Sequence, residues 1–173
     1  MNIFLIGFMG TGKSTISAVL GKELSTEVIE MDELIVKRQG MPISQIFETR
    51  GEEYFRELET GLLVELQQRD GLIVSCGGGT PMRECNVAEM KMSGIIVLLT
   101  ARPETIFERV RYSHNRPLIE HNKTVEYIAE LLEKRREKYE AAADVTIATD
   151  GKDTREICRE IQDSVKEWEK QSC

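Results

Sequence analysis

Lys13 and Ser14 close the run Gly7-Phe8-Met9-Gly10-Thr11-Gly12-Lys13-Ser14-Thr15, whose spacing is G-x-x-x-x-G-K-[ST]. Each residue type in that pattern has a task. The glycines let successive backbone N–H groups bend toward one anion, and a helix opening at Lys13 points its positive dipole end at the same place. Lys13 adds a mobile charge for the β- and γ-phosphates of a nucleoside triphosphate, and the Ser14 hydroxyl is placed to ligate Mg²⁺. Gly10, Thr11, Gly12, Lys13, Ser14 and Thr15 are therefore the candidate nucleotide-binding residues. The position after an apolar run and the full match favour this P-loop reading over a strand-turn-helix junction with chance glycines.

Other residues of chemical interest lie scattered along the chain. Asp32 follows Glu27-Val28-Ile29-Glu30, at the carboxyl end of an expected strand, the edge where open α/β sheets bind ligands. Arg56 and Glu59, three apart on an expected helix, can meet each other or share a ligand, although such pairs are also common as solvated salt bridges. Gly77-Gly78-Gly79 follows another strand, where three glycines serve close backbone approach to a ligand or a flexible turn, and the strand's carboxyl end favours the former. Residues 111–122 lack a clean period and bring Arg109, Arg111 and Arg116 together, as a lid closing an arginine over a triphosphate would, or as a solvated basic loop would.

The elements that must position these groups follow from periodicity. Ile3–Ile6, Glu27–Glu30, Leu72–Ser75, Ile95–Leu99 and Asp144–Ile147 read as strands, each built on apolar residues. Helical stripes appear at Ile16/Val19/Leu20/Leu24, Phe55/Leu58/Leu62/Leu66, Ile106/Phe107/Val110, Val125/Ile128/Leu131/Leu132 and Ile157/Ile161/Val165/Trp168. Between Glu33 and Arg69 only helical pattern is present, broken at Gly40-Met41-Pro42 and Arg50-Gly51. Trp168 reads as a core or docking residue. Strands alternating with helices predict an α/β fold, a parallel sheet layered between helices and joined by right-handed crossovers.

The chain has 173 residues, the length of a single α/β domain. Its formal net charge of −7 and the lack of a long basic run argue against nucleic acid or an anionic membrane as the main partner. An anionic substrate must then be held by local cations against the global field. The 4 cysteines have no C-x-x-C spacing and, with 2 histidines, suggest reduced thiols in a cytoplasmic protein without a metal cluster. No signal-peptide pattern and no stretch of transmembrane length is expected.

With these motifs in order, the chain resembles the shikimate kinase family over essentially its whole length. The likeness rests on GFMGTGKST, then Met31-Asp32, then Gly51-Glu52-Glu53-Tyr54-Phe55-Arg56-x-x-Glu59, then the triple glycine, then Arg116-Pro117-Leu118, then Arg135 with Tyr139 four residues on. The resemblance implies a nucleoside-monophosphate-kinase-like P-loop fold in three αβα layers, with a five-stranded sheet in the order 2-3-1-4-5. It implies a substrate-binding helical subdomain at about 33–61 and a lid at about 112–123. The implied reaction moves the γ-phosphoryl group of ATP to the 3-hydroxyl of shikimate, with Mg²⁺ as cofactor. A monomer is expected, with no nucleic-acid or membrane partner. Carried over by position, Asp32 contacts the ring hydroxyls and acts as base. Arg56 and Arg135 hold the substrate carboxylate, Glu59 orients Arg56, and Gly78 and Gly79 pack on the ring. Arg116 becomes the lid arginine, catalytic beside Lys13 and Asp32, and Arg109 stacks on adenine.

Two positions depart from the family pattern. Glu30 stands where the family commonly has an aspartate near the metal's water shell, and residues 148–153 lack the family's proline-containing adenine loop. A same-fold kinase of another hydroxy acid such as gluconate would keep the P-loop and lid without needing Arg56 and Arg135 to converge with Asp32. A non-catalytic nucleotide-binding module would have no need of the intact set Lys13, Ser14, Asp32, Arg56, Arg116 and Arg135.

Overall fold

A computed structural model describes residues 1–112, 119 and 122–173. The chain runs β1 (Asn2–Ile6), α1 (Lys13–Leu24), β2 (Glu27–Glu30), α2 (Met31–Gln39), α3 (Ile43–Arg50), α4 (Glu52–Gln67) and β3 (Leu72–Ser75). A short 3₁₀ turn (Thr80–Met82) leads to α5 (Glu84–Ser93), β4 (Gly94–Thr100), α6 (Pro103–Val110), α7 (Val125–Ala142), β5 (Val145–Ala148) and α8 (Thr154–Ser172). The five strands pair in the order β2-β3-β1-β4-β5, all parallel.

Period-two alternation within the central strands decides which helices cover which face. Phe4, Ile6, Val74, Ile96 and Leu98 face one core, shared with Ile46, Phe55, Leu62 and Ile128 of α3, α4 and α7. Leu5, Ile73, Ile95, Val97 and Leu99 face the other, with Ile16 and Leu20 of α1 and Ile157, Cys158 and Ile161 of α8. Trp168 packs on the edge of this second core, as a docking residue does.

Most elements lie where periodicity places them, with α2, α3 and α4 separated at Gly40 and Gly51. Helix α5 has no counterpart in the periodicity reading. Its buried residues are Asn86 and Met90, so it lacks the recurring apolar stripe that marks the others. Asp32 also sits differently in detail. β2 ends at Glu30 and α2 begins at Met31 without a loop, so Asp32 occupies the first turn of a helix.

Sheet register brings the scattered motifs level. Leu5 of β1 pairs with Ser75 of β3, and Ser75 pairs with Glu30 of β2. The P-loop, the glycine triplet and the Glu30–Asp32 corner therefore leave adjacent strands at one edge, with strand axes separated by about 4.8 Å.

Candidate active site

The P-loop closes on itself. The Thr11 hydroxyl donates to the Phe8 carbonyl at 2.8 Å, and Lys13 Nζ donates to the carbonyls of Gly7 at 2.7 Å and Phe8 at 3.0 Å. Gly12 caps α1 with φ of 96°, a conformation that side-chain-bearing residues rarely adopt. No side chain caps the helix, so its first N–H groups are open to an anion.

At the mouth of the loop, Ser14 Oγ donates to Glu30 Oε2 at 3.1 Å, and the buried Ser17 Oγ lies 2.8 Å from Glu30 Oε1. These hard oxygen donors at a phosphate-binding loop fit Mg²⁺, which is usually held by one or two protein oxygens together with substrate phosphates. The longer side chain of Glu30 thus reaches the Ser14 hydroxyl.

The glycine triplet is the hub of the opposite half. A Cβ on Gly77 would lie 2.9 Å from Asp32 Oδ1 and 3.0 Å from Glu59 Oε2, so two carboxylates flank that backbone. A Cβ on Gly78 would lie 3.4 Å from an Arg135 nitrogen and 3.7 Å from both Gly7 O and Met9 N of the P-loop. On Gly79 it would strike the Arg56 guanidinium. Gly77 and Gly79 have no room for a side chain because carboxylates and an arginine close on them, whereas Gly78 makes only ordinary contacts with Arg135 and the P-loop. Asp32, Arg56, Arg135, Gly78 and Gly79 are thereby brought together beside Lys13.

Side-chain bonds hold this half in shape. Arg56 donates to Glu59 Oε1 at 2.6 Å and to Glu52 Oε1 at 3.2 Å, with its side chain 14% exposed and that of Glu59 fully buried. Burial pulls the Arg56 pKa down, but the charge and hydrogen bonds of Glu59 and Glu52 outweigh it and hold the guanidinium above its ordinary value. Thr80 donates to the second Glu59 oxygen at 2.5 Å, and Asn86 on α5 donates to the Thr80 carbonyl at 2.8 Å. Tyr139 donates to the Gly78 carbonyl at 2.6 Å and accepts from Arg135 at 3.4 Å. The Arg135 guanidinium carbon also stands 5.8 Å from the centre of the Phe8 ring. Burial, partly opposed by the Arg135 charge, raises the Tyr139 pKa and keeps the phenol a donor.

Arg109 bridges the Gly10 carbonyl at 2.9 Å and the Thr149 hydroxyl at 3.3 Å, which puts it between the P-loop and the 148–153 segment. That segment has a structural task of its own. Asp150 accepts from the Arg102 N–H at 3.0 Å and the Thr105 hydroxyl at 2.7 Å, tying down the start of α6. Burial works to raise the Asp150 pKa, yet these hydrogen bonds and the Arg102 charge prevail and lower it. Arg116, and with it the middle of the expected lid, lies outside the described residues.

Sequence reasoning left Ser17, Thr80 and Asp150 without roles and used Tyr139 only as part of a motif. Thr80 directly follows the triplet and Tyr139 stands four residues after Arg135, so proximity to a motif was the available signal for both. Ser17 offers less. A serine in the interior of a helix is a weak sign of a specific partner, because serine there competes with the backbone for hydrogen bonds. A cavity of about 380 Å³ lies behind the P-loop, between Phe8, Thr11, Leu98–Ala101 and the Leu132–Tyr139 side of α7. It shares Tyr139 with the cleft but does not contain Asp32, Arg56 or Arg135.

The family model for shikimate kinase matches residues 9–166. The shikimate kinase of Dehalococcoides mccartyi strain 195 is 40% identical over 171 residues, covering 99% of this chain and 97% of that protein. Among solved structures, shikimate kinase from Acinetobacter baumannii in complex with shikimate superposes with a TM-score of 0.88 at 34% identity, covering 93% of this chain and 90% of that one. The enzyme from Aquifex aeolicus gives 0.81 at 35% identity, with 96% of each chain covered.

Proposed function

The chain belongs to the shikimate kinase family, and from that premise we propose how its cleft phosphorylates the 3-hydroxyl of shikimate with ATP. The observation that carries the residue roles is the convergence of Asp32, Arg56 and Arg135 on Gly77–Gly79 next to the P-loop. A kinase of a neutral polyol would need no such pair of arginines. Two guanidiniums can fork onto one carboxylate, fixing both its position and the orientation of a rigid ring acid.

With the acid seated there, Asp32 accepts the proton of the attacking hydroxyl. The new bond joins that oxygen to the γ-phosphorus, the bond from the γ-phosphorus to the β-bridging oxygen breaks, and ADP leaves with the electron pair. The proton on Asp32 then passes to solvent. Phosphoryl transfer asks chiefly for alignment and for positive charge around the moving group. Lys13 supplies that charge by exchanging its contacts with Gly7 and Phe8 for charge-assisted bonds to phosphate. Mg²⁺ would be held by Ser14 with Glu30 beside it, and when bound it neutralises charge on the β- and γ-phosphates. Arg109 borders the adenine, while the role expected for Arg116 and the lid at 112–123 falls largely outside the described residues. The acid is gripped mainly by the 33–61 subdomain and α7.

A cytoplasmic monomer is the working form we propose, supported by the supply of the whole cleft from one chain and by cysteines that are all free. Among the described residues no helix is long and apolar enough to cross a membrane. Sedimentation of the purified protein tests the monomer directly, and a stable dimer would overturn it.

The roles are tested with Asp32→Asn. ATP binding is expected to be retained while shikimate-dependent ADP release falls on the order of 10²–10⁴-fold, the range of a general base. Unchanged turnover would remove Asp32 from its role. The same assay run against sugar acids should show turnover only with shikimate.

A further inference from the structure

Ser17 is fully buried inside α1, one helical turn beyond Ser14. Its Oγ lies 2.8 Å from Glu30 Oε1 and 2.9 Å from the Ser14 carbonyl, while Ser14 Oγ donates to Glu30 Oε2 at 3.1 Å. Both oxygens of one carboxylate are therefore engaged by hydroxyls from the same face of one helix. We propose that Ser17 is a positioning residue for the metal–nucleotide site, acting by holding the Glu30 carboxylate in the orientation that orders the Ser14 hydroxyl. The assignment rests on the P-loop reading above.

The physical argument begins with the Ser14 proton. A serine hydroxyl rotates freely, and its lone pairs point in a defined direction only when the proton has a fixed acceptor. An ionised carboxylate is an acceptor alone, so Glu30 takes that proton and leaves the Ser14 oxygen free to ligate a cation. Glutamate, however, has a long side chain with considerable rotamer freedom that must be lost to serve as such an acceptor. The Ser17 hydroxyl supplies the second restraint. It carries a single proton, and the charged Glu30 oxygen is a stronger acceptor than the Ser14 carbonyl, so the proton goes to Glu30. A merely structural serine predicts a different result. Alanine has the higher helix propensity in a helix interior, so Ser17→Ala should then alter stability alone and leave cation binding as it was.

The test is binding of Mn²⁺, followed by electron paramagnetic resonance, to the ADP-loaded protein in wild type, Ser17→Ala, Glu30→Ala and the double variant. ADP affinity is measured separately in EDTA. Ser17→Ala is expected to weaken Mn²⁺ binding about 3–10-fold, the worth of one hydrogen bond, with ADP affinity in EDTA unchanged. In the Glu30→Ala background the same substitution should add nothing, because the carboxylate through which it acts is gone. Equal Mn²⁺ affinity in Ser17→Ala and wild type would overturn the assignment. So would an equal loss in both backgrounds, or a matching loss of ADP affinity in EDTA. Wild-type protein that bound ADP without taking up Mn²⁺ would overturn the metal-ligating role of Ser14 and this inference together, while wild-type protein that bound no ADP would overturn the P-loop reading itself, and either failure is visible before any variant is made.

Discussion

The two halves of the cleft are built in opposite ways. The phosphate half comes from consecutive residues, Gly7 to Thr15, and its internal bonds span at most a few positions, such as Thr11 to Phe8 and Lys13 to Gly7. The half proposed to hold the acid draws Asp32 from α2, Arg56 and Glu59 from α4, the glycine triplet after β3 and Arg135 from α7. Its bonds cross long stretches of chain, Thr80 to Glu59 and Tyr139 to Gly78 among them. A loop that follows from local backbone geometry survives changes elsewhere. An assembled clamp depends on the side chains that hold its parts in register, so damage to those side chains should appear in shikimate binding and leave ATP binding alone.

The hardest test of that asymmetry is Glu59→Gln. Breaking the buried half of this pair leaves Arg56 with only the exposed Glu52 as a charged partner, and up to about 3–5 kcal/mol of stability should be lost, seen in denaturant unfolding. At a temperature where the variant is folded, KM for shikimate should rise while KM for ATP stays near wild type. A comparable rise in both would erase the distinction between the halves.

Arg135→Lys comes next. It retains the charge but loses the planar fork, and about 1.5–3 kcal/mol of shikimate affinity should go with the lost charge-assisted bonds. Steady-state kinetics with each substrate varied in turn will read this out, and an unchanged KM for shikimate would place Arg135 outside the clamp.

Tyr139→Phe removes one hydroxyl and little volume. One hydrogen bond is worth about 0.5–1.5 kcal/mol, so a several-fold rise in the KM for shikimate is expected. The substitution also has a pH signature. Because burial raises the Tyr139 pKa, the neutral phenol's contribution to stability is complete below the ordinary value of about 10 and is lost as pH rises past it, when the unfolded chain ionises first. Alkaline unfolding curves should therefore be less steep in the phenylalanine variant, and identical curves would contradict the buried donor.

The smallest effect belongs to the nucleotide side. Asp150→Ala deprives the start of α6 of its acceptor, worth about 0.5–2 kcal/mol of stability by analogy with helix caps. Any change in substrate affinity should then fall on ATP, through Arg109 and Thr149. An isolated effect on shikimate would break the comparison.

Much of this was legible beforehand, for reasons that differ by element. The P-loop is read from adjacent residues because its function depends on backbone geometry that glycines and a lysine announce. The central strands β1, β3 and β4 carry unbroken apolar runs, so their positions are plain. Helix α5 was not legible, since its short buried set Asn86 and Met90 makes no stripe, and yet Asn86 holds the Thr80 carbonyl that steadies the Glu59 side. The 148–153 segment offered no family motif, and only its proximity to the N-terminus of α6 revealed what Asp150 does.

By itself, the sequence determined the fold class, the phosphate-binding loop and, through an ordered set of motifs, the family to which the chain is similar. Those properties depend on local periodicity and on residue types at fixed spacing. Tertiary structure alone decided that Gly78 lies against Arg135 and Gly79 against Arg56, that Glu30 reaches Ser14, and that Ser17 restrains it. Such contacts depend on strand register and side-chain direction across separate elements, where a slip of one residue moves every side chain to the opposite face. The P-loop is thus written in one line of sequence, and the clamp beside it exists only once the sheet has formed.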